Sequence, residues 1–390
     1  MSLFSFDCPF CFERIRRTDV LFSCHTCKAT LNIKKGFLEV IGLKPAPRRI
    51  PCTTPNCKTI VTKRKCPNTD CLADLPIAID KLPNLHIAVI GAKGSGKSHY
   101  IALLISRIQQ MHHDFGWTLQ WLDDRTNERY KNKIKARLDA GFPLDTSQSA
   151  AIDKETSQPL LYKLSFTKGF LKRSIMLAFF DTAGEDLNKD VDTMTSVNKY
   201  IISASGIICL LDPLQLPKVR ASVEARIGKG GLPEQGKDTG DIINQVEQLI
   251  RRGQIARGKS GMETATIKIP LALAFSKIDA IDDGGTPDAT LLPKDCAIFR
   301  DTRHRGVLHH AEFTTIHQLM QGWLREVDEQ QNISNNSKAF AEVGYFGFSA
   351  LGCNPMLTSG RLPHAPRPVR VEDPFLWILY KNGLITMKKG

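Results

Sequence analysis

The sequence predicts an α/β fold: a mostly parallel sheet with helices on both faces, preceded by a small cysteine-rich head. Three observations predict it. Near-continuous apolar runs of strand length, such as Leu85–Ile90, Gly206–Leu211 and Leu271–Phe275, alternate with segments of helical period, and parallel strands buried on both faces read this way. The first of these runs enters a glycine-rich loop that opens a helix. Eight of the 11 cysteines lie before residue 72.

Composition sets the outer bounds. The chain has 390 residues, 42% hydrophobic and 24% charged, which is ordinary for globular proteins and excludes global disorder, collagen-like repetition and coiled-coil architecture. The longest nearly uncharged apolar stretch, Tyr200–Leu211, is broken by Ser203, Ser205 and Gly206 and is too short for a membrane span. The start, MSLFSFDCPF, lacks a basic region followed by an apolar core. A soluble, cytoplasmic protein is the expectation.

The formal charge is +13, with +7 of it on residues 1–85 and +6 on residues 86–390. Two metal sites of four thiolates each would carry −2 apiece, lowering the balance to +9. A mildly basic chain suits an acidic partner such as nucleic acid, and it equally serves solubility.

The head reads Cys8-x2-Cys11, Cys24-x2-Cys27, Cys52-x4-Cys57 and Cys66-x4-Cys71. Each close pair offers two sulfurs to one side of a tetrahedron, and a second pair completes the shell. Paired cysteines in a non-secreted chain point to zinc rather than disulfides. The 24 residues after Cys27 favour local pairing, with Cys8, Cys11, Cys24 and Cys27 in one site and Cys52, Cys57, Cys66 and Cys71 in the other. A cross-braced arrangement would mix the sets. Closed shells imply structural rather than catalytic zinc. The head is then a folding staple or a docking platform, with Arg14, Arg16, Arg17, Arg48, Arg49, Lys63, Arg64 and Lys65 available to phosphates or solvent.

The body begins with LHIAVIGAKGSGKS, residues 85–98. A strand runs into Gly91, Ala92, Lys93, Gly94, Ser95, Gly96, Lys97 and Ser98, followed by a helix over 97–110. This is a phosphate-binding loop in its required context. Its amides and the helix N-terminus cradle phosphate. Lys97 reaches the β- and γ-phosphates, and Ser98 offers its hydroxyl to Mg²⁺. His99, next in the chain, is counted with the nucleotide-binding residues and is read as packing or solvent-facing rather than as catalytic. SIMLAFFDTAGED, residues 174–186, then delivers Asp181 to Mg²⁺ and Gly184 to the γ-phosphate. LALAFSKID supplies Ser276, Lys277 and Asp279, whose carboxylate can accept both hydrogens of a guanine edge. Ser349, Ala350 and Leu351 follow a strand over 343–348 and bring a backbone amide toward guanine O6.

GAKGSGKS, DTAG, SKID and SAL, in that order at strand ends, resemble the guanine-nucleotide motifs of translation-factor-related (TRAFAC) P-loop GTPases. With the cysteine-rich head, which resembles tandem zinc ribbons, and the ending RVEDPFLWILYKNGL, the chain resembles the bacterial double-GTPase (DO-GTPase) type of conflict or defence gene clusters. The resemblance implies GTP and GDP binding, Mg²⁺ dependence and slow hydrolysis coupled to a switch. Two Zn²⁺ in the head are expected from the cysteine pairs, and no membrane span is expected from the apolar pattern. Three departures stand out. Ser276 replaces the usual Asn or Thr. Glu185 follows DTAG where small Ras-like members carry the water-orienting Gln. The switch threonine is not fixed by spacing: Thr146 is the first choice and Thr156 the second. Lys97, Glu185 and Thr146 are the candidate catalytic residues.

The expected organisation is a tandem zinc-ribbon head over 1–80 and a GTPase domain over 81–390, with an insertion around 213–262 holding a helix near 240–252. Further helices are expected over 125–140, 311–328 and 372–382. The first carries Arg125, Arg129, Lys131, Lys133, Lys135 and Arg137 and is read as solvated rather than as an arginine finger. The leading functional reading is a GTP-hydrolysing switch whose head docks a protein partner. The alternatives are a non-hydrolysing nucleotide sensor or scaffold, and a nucleic-acid-binding protein regulated by nucleotide.

Overall fold

The structure is a computed structural model. It describes residues 5–32, 47–79, 82–145, 158–168, 171–180, 196–228, 232–233, 239–256, 258, 261, 265–356 and 358–388. Thr146, Thr156, Asp181, Gly184 and Glu185 lie outside the described residues.

Seven strands form the central sheet: β1 (Asn84–Gly91), β2 (Thr118–Trp121), β3 (Leu160–Lys168), β4 (Leu171–Phe179), β5 (Gly206–Leu211), β6 (Leu271–Phe275) and β7 (Val343–Gly347). Their order is β2-β3-β4-β1-β5-β6-β7. The five from β4 through β7 are mutually parallel, and β3 runs against both neighbours. Every residue of β5 and β6 is buried, as a strand covered on both faces requires.

Alternate side chains of β1 enter different layers. Ile87 and Val89 pack with Tyr100, Ile101, Leu104 and Ile108 of the helix Lys97–Gln110, and with Phe375 and Trp377 of the helix Asp373–Lys381. Ala88 and Ile90 face the opposite layer. That layer holds the helices Pro217–Ile227, Thr239–Ala256 and His310–Val327. The apolar stripe of the last helix is core, with Ile316, Met320, Trp323, Leu324 and Val327 buried. Segment 213–262 holds a helix, Pro217–Ile227, beyond the one expected near 240–252, and both contribute to the core.

The basic helix is three pieces in one run: Asp124–Glu128, a π-helical turn Arg129–Lys135, and Ala136–Asp139. Asp123 caps it by accepting from the Thr126 amide at 2.6 Å. Its cations are engaged within the chain. Arg129 donates to the Gln158 carbonyl, Lys131 lies over the Trp121 ring and Lys135 pairs with Asp139.

A buried ionic cluster joins the two helices of the first layer. Arg107, on the helix after the phosphate loop, pairs with Glu372 at 2.9 Å. Arg370 pairs with Glu312 and Asp373, each at 3.0 Å, and donates to the carbonyls of Ala297, Ile298 and Arg300. Burial pushes the Asp373 carboxyl up to about 6.

The head contradicts local pairing of the cysteines. Cys8, Cys11, Cys66 and Cys71 form one cluster, and Cys24, Cys27, Cys52 and Cys57 form the other. The reason is a shared sheet. Strand Leu21–Ser23 pairs antiparallel with Arg64–Lys65, matching Leu21 to Lys65 and Phe22 to Arg64. Both strands lie between an outer and an inner knuckle. Their pairing therefore nests the inner knuckles together and closes the outer ones across the head. Phe22, Cys24, Leu31 and Val61 bury a small apolar centre beneath the inner cluster.

Candidate functional site

The parallel strands end in one row. Gly91 faces Leu210, Leu211 faces Phe275, and Phe275 faces Gly347. The segments that leave these strands therefore rise from one edge, the usual ligand edge of an open α/β sheet. Phe179, the last residue of β4, is matched to Ile87 of β1.

Gly91 has no room for a side chain: a Cβ there would lie 2.5 Å from the Leu210 carbonyl oxygen and 2.6 Å from Ser95 Oγ. Gly96 caps the helix with φ of +90°, a left-handed conformation that suits glycine. Between them Ala92 is half-buried, while Lys93 and Gly94 are exposed at the tip. Ser95 Oγ is buried and meets no hydrogen-bond partner among the described residues. Lys97 is buried, and its ammonium donates to the carbonyls of Gly91 at 2.9 Å and Ala92 at 3.0 Å. The lysine thus closes the loop on itself with the charge a phosphate would meet. Ser98, half-buried, opens the helix beside it.

His99 has a definite task. Its Nε2 accepts from the Leu144 amide at 2.9 Å, holding the segment that leads toward Thr146. An accepting nitrogen must be unprotonated. Burial, with Lys277 nearby, lowers its pKa to about 4. The folded value lies below the ordinary one of about 6.5, so this contribution is complete above that value. It is lost as pH falls through 6.5 toward 4. We expect the nucleotide-free protein to lose about 2 kcal/mol more stability between pH 7 and 5 than His99→Gln, which keeps an acceptor but cannot titrate. Urea unfolding at the two pH values checks this, and equal losses would contradict it.

The SKID segment is held by neighbouring strands. The Ser276 amide donates to the Leu211 carbonyl at 2.9 Å, and its buried hydroxyl donates to the same oxygen at 3.3 Å. Lys277 takes a left-handed φ of +54°. Its ammonium meets Asp212 Oδ2 at 2.7 Å. The Ile278 amide donates to the Phe348 carbonyl, tying this loop to the next. Asp279 is half-buried in the short turn Ile278–Ala280. Burial raises the Cys353 thiol, and the Asp279 charge adds to the shift.

The SAL segment is pinned by a bridge: Ser349 and Val369 exchange amide hydrogen bonds at 3.1 and 2.8 Å. Ser349 Oγ accepts from the Gly352 amide at 2.9 Å, which closes a turn around Ala350 and Leu351. The structure therefore brings Gly91–His99, Ser276–Asp279 and Ser349–Leu351 to one edge. Asp212 belongs with them and was not among the expected site residues. It is buried, caps the turn after β5 through the Leu214 amide, and pairs with Lys277. The acid at the end of a buried strand was its only signal in the sequence.

Each cysteine cluster offers four sulfurs within 4.8 Å of one another. Sulfur–sulfur distances are 4.0 Å for Cys8–Cys71, 3.7 Å for Cys11–Cys66, 3.7 Å for Cys24–Cys57 and 3.5 Å for Cys27–Cys52. A tetrahedron of thiolates about 2.3 Å from zinc has edges of about 3.8 Å, so both donor sets fit zinc. The Thr54 hydroxyl and the Ala29 amide help hold Cys27 down to about 6, favouring its thiolate. Among the described residues, no helix is long and apolar enough to cross a membrane.

Comparison with known proteins gives matches of three kinds. A putative ESX-1 scaffolding and assembly protein, SaeC, of Mycolicibacterium smegmatis is 23% identical over 316 residues, covering 77% of this chain and 75% of that protein. The GTP-bound Ski7 GTPase-like domain of S. cerevisiae aligns at 13% identity with a TM-score of 0.28, covering 77% of this chain and half of that one. The model of the Double-GTPase 2 family matches residues 85–336, from the first residues of β1 through the helix that precedes β7. The chain thus belongs to the Double-GTPase 2 (DO-GTPase2) family.

Proposed function

We propose that the chain is a Mg²⁺-dependent, GTP-binding and hydrolysing molecular switch whose zinc-bearing head docks a protein partner. One observation supports this reading above the others: the phosphate loop, the SKID turn and the SAL turn rise from strand ends along one edge of a single sheet. The loop supports triphosphate binding through its amides, the helix N-terminus and Lys97. The buried, unpartnered hydroxyl of Ser95 supports it too. Ser98 would hold Mg²⁺ with Asp181 and Thr146, and the ion would supply neutralisation of charge on the phosphates. Asp279 would take the guanine edge, Lys277 would cover the base, and Ala350 and Leu351 would present amides to it. Gly184 would meet the γ-phosphate, and Glu185 would orient water.

The division into a head over 1–80 and a body over 81–390 belongs to this proposal, as does a cytoplasmic site. The name of the M. smegmatis relative, a scaffolding and assembly protein, supports a protein partner for the head rather than nucleic acid. A part in a bacterial conflict or defence system rests on the resemblance alone. The test is the nucleotide and metal content of the purified protein. Guanine nucleotide, magnesium and two zinc equivalents are expected. Adenine nucleotide in the site, or equal affinity for ATP and GTP, would refute the assignment.

A further inference from the structure

The outer zinc knuckle reaches into the body beneath the nucleotide edge. Phe12 follows Cys11 and takes a left-handed φ of +60°. That conformation favours glycine, and a bulky residue held in it needs surroundings that over-determine it. Equivalent positions after Cys27 and Cys71 carry Lys28 and Leu72, at φ of +57° and +46°. Both are exposed to solvent, whereas Phe12 is 5% exposed. Its ring belongs to the core of the body, not to that of the head.

The cup that receives it is aromatic. Ring centroids lie 5.3 Å away for His86, 5.4 Å for Phe180 and 5.7 Å for Tyr200. His86 is on β1, the strand that becomes the phosphate loop. Phe180 immediately precedes Asp181. Tyr200 is on the helix Ser196–Ile202, stacks at 4.1 Å on Phe180, accepts from the Phe180 amide and donates to the Ile87 carbonyl. Polar contacts flank the ring: Lys199 pairs with Glu13 at 3.0 Å, and Asn84 donates to the Asp7 carbonyl at 2.8 Å. The knuckle backbone is closed by the Phe12 amide on the Cys8 carbonyl and the Cys8 amide on the Glu13 carbonyl. Loss of the Cys8–Cys11 shell would therefore release the turn that presents Phe12.

We propose that Phe12 couples the outer thiolate shell to the nucleotide site, so that zinc there and guanine nucleotide each alter the affinity for the other. The inference rests on the nucleotide-binding reading above. Linkage makes the effect reciprocal. Contact between Phe12 and the two strands that flank the phosphate site supplies a physical path, and packed aromatic interfaces adopt discrete arrangements rather than deforming smoothly.

The test uses the full chain with two zinc equivalents. Zinc affinity is measured by competition with a chelator, without nucleotide, with GDP, and with a non-hydrolysable GTP analogue. We expect one of the two zinc affinities to change about fivefold or more between nucleotide states, and the Cys24-containing site to stay constant. Phe12→Ala should abolish the dependence, Phe12→Leu should retain part of it, and Leu72→Ala should leave it intact. Zinc affinities indifferent to nucleotide in the wild type, or a dependence that survives Phe12→Ala, would overturn the proposal. Should Phe12→Ala fail to fold, the wild-type comparison and Phe12→Leu decide. A wild type that binds no guanine nucleotide overturns both this and the reading beneath it; one that binds nucleotide with indifferent zinc overturns this alone.

Discussion

Asp279→Ala should lower GTP affinity about 100-fold or more while leaving ATP affinity within about threefold. A carboxylate accepting two hydrogens from one base edge contributes about 1.5–3 kcal/mol per bond. Adenine lacks that donor pair, so it neither gains from Asp279 nor loses by its removal. The turn that carries the side chain is firmly held. Ile278, its neighbour, is fully buried and its amide is fixed to the Phe348 carbonyl. Ser276 is anchored on β5, and Lys277 on Asp212. Removing the carboxylate therefore should not collapse the turn. Equilibrium titration with fluorescent guanine and adenine nucleotides measures both affinities, and an unchanged preference for GTP would place the base elsewhere.

The parts of this site that a sequence displays are those with a local cause. The phosphate loop declares itself because Gly91 must admit a carbonyl and Gly96 must turn left-handed, and both demands fall within one six-residue stretch. The strands declare themselves because a parallel sheet covered on both faces needs unbroken apolar runs. Asp212 was hidden because its partner, Lys277, is 65 residues away and meets it only when β5 and β6 pair. Arg370 was hidden for a similar reason. In the sequence it is one more basic residue, whereas in the fold it is buried among two carboxylates and three carbonyls. The π-helical turn at Arg129–Lys135 left no trace, since its residues suit an α-helix equally well. His99 was seen as a neighbour of the loop, but its bond to Leu144 depends on how the chain returns 45 residues later.

The pairing of the cysteines follows the same logic, and it yields the other large effect. Spacing along the chain says which two thiols share a knuckle. It does not say which knuckles meet. That is settled by strand Leu21–Ser23 lying against Arg64–Lys65, elements of three and two residues with almost no pattern of their own. Cys8→Ser combined with Cys66→Ser should therefore cost one zinc equivalent and leave the other bound, because both belong to the outer shell. Cys8→Ser combined with Cys24→Ser should cost both equivalents. Local pairing predicts the reverse for each combination, so metal analysis of the two variants separates the arrangements without reference to activity. The loss should be near complete. Structural zinc binds with an apparent free energy of about 10–16 kcal/mol in small domains, and one missing thiolate opens a shell that has no spare ligand. The inner centre of Phe22, Leu31 and Val61 is too small to hold its strands without metal. The variant that keeps the inner zinc should accordingly keep that half of the head folded, whereas loss of both should expose Phe22 and its neighbours to protease.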